Sequence, residues 1–105
     1  MLSPNVPASM KLVLHMVDRI HVHLQGSGIK FLDLVAAGAA GYAEAERQFD
    51  EMVKNKITTK PFGTVAAVFI QESILGVLPV RAKTLIPAYI RKGFNLGLIS
   101  EMVPV

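Results

Sequence analysis

Apolar residues recur at helical spacing near the start of the chain. Met10, Val13, Leu14, Val17, Ile20 and Leu24 fall along one side, while Lys11, His15, Asp18 and Arg19 lie on another. Ile20 to Leu24 alternates apolar residues with histidines, which also suits a strand. The longer pattern upstream favours a helix. Pro4 and Pro7 mark an irregular start, with Ser9 as a candidate cap or Pro7 as a first-turn residue. Gly26-Ser27-Gly28 then breaks the chain.

A second, long helix is expected over residues 29–54. Leu32, Val35, Ala39, Tyr42, Phe49, Met52 and Val53 are read as its continuous apolar stripe. Its first half is small and apolar, and its second half carries Glu44, Glu46, Arg47, Asp50, Glu51 and Lys54. The helix should therefore pass from a covered to a solvated environment. Residues 55–61 form a polar connector, in which Thr58 or Thr59 is a candidate cap for the next helix near Pro61.

Residues 62–80 contain a single charged side chain, Glu72. A membrane-spanning helix needs about 20 predominantly apolar residues, so this run is expected to be helical and at least partly in lipid. Arg81 and Lys83 follow at once, and a last apolar stretch is broken by Pro87 and by Arg91-Lys92. The fold class expected is all-α within one domain. Its parts are an amphipathic N-terminal segment (1–26), a long helix (28–55), an apolar, membrane-embedded helix (61–80) and a Pro-broken C-terminal helix (84–99).

Composition points the same way. The 105 residues are 51% hydrophobic and only 18% charged, against about 25% charged in an average soluble protein. That is too little charge to coat so small a chain, so partners or lipid should cover the remainder. With Met1 at its start the chain is expected to have lost no leader, and its ends are expected to be held in place.

The absence of cysteine removes disulfides, thiolate metal sites and cysteine nucleophiles. His21 and His23 are the only metal-like pair, short of the three or four ligands that zinc requires. No nucleophile elbow or Walker loop is present, and Gly26-Ser27-Gly28 reads as a plain turn. The basic residues are not interleaved with aromatics, which argues against nucleic acid as a partner. No enzyme, cofactor or metal is expected.

Small residues four apart carry a clearer message. Ala36/Ala40, Ala37/Gly41 and Gly93/Gly97 make flat strips that let helix backbones approach closely. Alanine alone is simply a good helix former. Glycine is not, costing about 1 kcal/mol relative to alanine inside a helix, so Gly38 and Gly41 call for a packing reason. Glu72, if in lipid, should face protein and find a partner, with a soluble helix exposing Gln71, Glu72 and Ser73 as the rival reading. Arg81, Lys83, Arg91 and Lys92 cluster beyond the run and are candidate headgroup or matrix-side contacts.

The combination of Glu72, Arg91-Lys92 and Gly93-x-x-x-Gly97 resembles the small accessory membrane subunits of mitochondrial ATP synthase, of the subunit g and subunit e type. The likeness covers residues 60–99. It departs from the family in that the basic pair precedes the glycine motif, Pro79 and Pro87 interrupt the segment, and Phe94 or Asn95 stands where an acidic residue is expected. The resemblance implies a non-catalytic subunit of an inner-membrane complex that packs against other subunits and lipid. An accessory subunit of a respiratory complex is an alternative. So is a soluble helical interaction module that oligomerises through an apolar face.

Overall fold

Among the described residues, three of the four helices begin directly after a proline. In the computed structural model, which describes residues 7–88 and 90, Pro7, Pro61 and Pro79 each occupy the position before the first helical residue, with φ near −60° and extended ψ. Proline suits that position because its ring fixes φ and the first N–H groups of a helix need no partner within it. The helices are α1 (Ala8–His21), α2 (Phe31–Lys54), α3 (Phe62–Val77) and a single turn, α4 (Val80–Lys83). A 3-10 turn, Val22–Leu24, continues α1, so the alternating histidine stretch is helical and not a strand. The described residues are all-helical, as the periodicity indicates.

The turns follow the local chemistry. Gly26 and Gly28 both adopt positive φ, and Ser27 between them donates from Oγ to the Leu24 carbonyl at 2.6 Å and accepts from the Ile29 N–H at 3.2 Å. At the end of α2, the Ile57 N–H reaches back to the Met52 carbonyl (2.8 Å) and the Lys56 N–H to Val53 (3.1 Å). This is a Schellman cap, and Lys56 fills its left-handed position at φ 57°. Thr58 is buried and does not cap α3; its Oγ1 accepts from the Lys60 N–H at 3.0 Å, shaping the connector.

The core forms where α1, α2 and α3 meet. Val13, Val17 and Ile20 of α1 join Leu34 and Ala37 of α2 and Ile70 and Ile74 of α3. Leu78, Ala82, Ile86 and Ile90 extend it past α3. The buried positions of α3 run from Val65 through Val68 without a break, so this turn of the helix is covered on every side. A helix that is apolar all round belongs in a core or in lipid; here the chain's own helices cover it.

That packing revises the expectation of a membrane-embedded helix. Leu78 must be extended because Pro79 follows it, so α3 stops at Val77 after 16 residues. No helix among the described residues is long and apolar enough to cross a membrane. Glu72 accordingly points outward and is exposed, while its neighbour Gln71 is 1% exposed and donates to the Ile90 carbonyl at 3.1 Å. Ser73 is half-buried, so the three polar residues do not share one exposed side. The helix expected over 84–99 begins differently too: α4 ends at Lys83, and residues 89 and 91–99 lie outside the described part.

Candidate helix-packing site and the apolar end

The small residues of α2 divide into two opposite faces. Ala37, Gly38, Gly41 and Ala45 are buried and face α3 and α1. A Cβ on Gly41 would collide with the Phe69 carbonyl oxygen and stand 2.9 Å from the Ile70 Cα, which is backbone and cannot step aside. A Cβ on Gly38 would come within 2.9 Å of Val13 Cγ1 and 3.3 Å of Ile70 Cγ2. At the two glycines α1 and α3 leave no room on α2 for a Cβ, which accounts for residues that otherwise weaken a helix. Ser73 Oγ seals the same contact by donating to the Ala37 carbonyl at 2.6 Å.

Aromatic rings close the other end of this interface. Phe62 meets Tyr42 and Phe49 edge-to-face, with centroids 5.4 and 5.2 Å apart. The sequence pattern set Ala37 and Gly41 against another helix, and the structure fills that notch with the chain's own α3. Gly38, which the sequence marked with Gly41 as needing a packing reason, belongs to the same contact. Ala45 is buried on the same helix and was missed; its spacing of four from Gly41 is the signal that could have found it.

Ala36 and Ala40 lie on the opposite face and are exposed, together with Leu32, Ala39 and Ala43. The stripe expected from the sequence holds in part: Met52 is buried and Val35, Tyr42 and Phe49 are half-buried, but Leu32 is 76% exposed and Val53 48%, and Leu34, Ala37 and Gly41 form the inside of the first half instead. The N-terminal half of α2 is therefore apolar on both sides, with only one of them covered.

Beside that bare side lies the end of the bundle where α2 starts and α3 stops. One open groove there is lined by Ile29, Asp33, Ala36, Val77 and Pro79, and a second by Ile29, Pro79, Arg81 and Leu85. Val77 (59%), Val80 (76%) and Leu85 (48%) are exposed around them. Arg81 is exposed and Lys83 half-buried at the same end, so those two expected contact residues sit together. Arg91, Lys92, Gly93 and Gly97 lie outside the described residues.

Among the described residues no group of three histidine or acidic side chains could hold a metal ion. His21 instead packs edge-to-face on Phe31 at 5.4 Å. Comparison with protein families, with characterised proteins and with solved structures finds no match to the chain.

Proposed function

We propose that this protein is a non-catalytic helical subunit that docks into a larger assembly through the outer face of α2. One observation carries the reading: Leu32, Ala36, Ala40 and Ala43 form a charge-free exposed strip directly opposite the buried row of the same helix. Its small side chains leave a flat surface on which a partner helix can lie close. Farther along α2 the same side carries Arg47 and Lys54, both exposed, so the apolar strip has a definite end.

A membrane complex of the ATP synthase or respiratory type is one assembly into which such a subunit would fit. That assignment has lost its main carrier, because the apolarity of α3 is used inside the bundle. The docking role does not depend on it. The test is the native size of the tagged full chain, extracted in mild detergent from the cells that make it. Wild type should run well above its own 11.4 kDa mass, and Ala40→Glu should release it while leaving helicity by circular dichroism unchanged. A monomeric wild type, or an assembly indifferent to Ala40→Glu, would defeat the reading.

A further inference from the structure

Three of the six exposed large apolar residues among those described fall close together. Val77, Val80 and Leu85 gather at the end where α3, α4 and the start of α2 meet. Isolated exposed apolar residues are ordinary; a group with a defined rim is a contact surface. Arg81 and Asp33 line the grooves, and Lys30 and Lys83 flank the lining residues in the chain, so the balance of charge near this end is basic. Lys30 and Arg81 are exposed and Lys83 is half-exposed, against one acid, Asp33. No ion pair among the described residues engages any of these three cations.

We propose that this end binds the surface of an anionic lipid bilayer, with Val77, Val80 and Leu85 entering the headgroup boundary and Lys30, Arg81 and Lys83 meeting lipid phosphates and carboxylates. Long basic side chains suit that depth, since their stems lie along apolar surface while the charge reaches the headgroups. Apolar insertion and basic attraction add in this setting, and neither suffices alone at a surface this small. No helix has to cross the bilayer, so the shortness of α3 is no obstacle. The outer face of α2 proposed above for docking adjoins this end at Ala36, which lines one of the grooves, while Val77, Val80, Leu85 and the three cations are not part of that strip.

The test is co-sedimentation of the full chain with vesicles of phosphatidylcholine alone and of phosphatidylcholine mixed with phosphatidylserine. Binding is expected only to the mixed vesicles and should weaken as salt screens the charges. Each cation near the surface contributes about fivefold in affinity. The triple variant Lys30→Gln, Arg81→Gln, Lys83→Gln should therefore lose on the order of a hundredfold. Val80→Asp and Leu85→Asp should each weaken binding with helicity unchanged, and Ala40→Glu should leave it intact. Equal binding to both vesicle types, no binding to either, or indifference to these variants would overturn the proposal. So would a lipid-free dimer that Val80→Asp dissolves, because the end would then close on a second copy. Loss of vesicle binding would leave the assembly measured with Ala40→Glu untouched, so the two readings fail separately.

Discussion

Ser73 and Ala37 stand 36 residues apart in sequence, yet the hydroxyl of one donates to the main-chain carbonyl of the other at 2.6 Å. A helix carbonyl has a second lone pair beyond its own helical bond, and α3 uses it to dock against α2. Ser73→Ala should cost about 0.5–1.5 kcal/mol. Urea unfolding should show a lower midpoint with an unchanged slope. An unaltered midpoint would mean that the hydroxyl adds nothing to the interface.

Gly41 and Ala40 are neighbours with opposite fates. Gly41→Ala drives a methyl into the Phe69–Ile70 backbone and should destabilise by about 1–3 kcal/mol through overpacking. Ala40→Ser faces outward and should stay within about 0.5 kcal/mol. Thermal unfolding of both variants checks the contrast. Equal effects would place the close contact elsewhere.

Glu72 illustrates what could and could not be read ahead of the structure. The sequence showed an apolar helix with one carboxylate, and that helix exists. Whether it lay in lipid or among other helices could not be read, because both environments select the same side chains. The deciding residue was Pro79, which ends α3 early. Similarly, the length of α2 was legible from its pattern. Its buried side was not, because its first half offers alanine or glycine on nearly every face and the periodicity loses contrast. The packing of Gly41 was detectable as a cost needing a reason; the partner that supplies the reason was not.

Since Glu72 is exposed, both Glu72→Gln and Glu72→Leu should change stability by no more than about 0.5 kcal/mol. Chemical denaturation of the two variants decides. A large loss with leucine alone would restore a polar partner for this carboxylate.

Lys56 holds a left-handed backbone conformation at the cap of α2, which costs an ordinary L-residue roughly 1–2 kcal/mol. Lys56→Gly removes that strain and gives back part of the gain as unfolded-chain entropy. The expected net is a stabilisation of about 0.5–1 kcal/mol, read as a higher melting temperature. A lower one would show that the lysine side chain contributes more than its backbone costs.

The pairing of α2 with α3 has a kinetic corollary. The two helices that pack most extensively are consecutive in the chain and joined only by residues 55–61. Closing so short a loop carries little entropy, and topologies dominated by nearby contacts cross their folding barrier quickly. The α2–α3 hairpin can therefore assemble first and present Gly38 and Ile70 as a ready-made seat for α1. A chain built this way spends little time with its most apolar helix uncovered, which protects a sequence this poor in charge from aggregating while it folds.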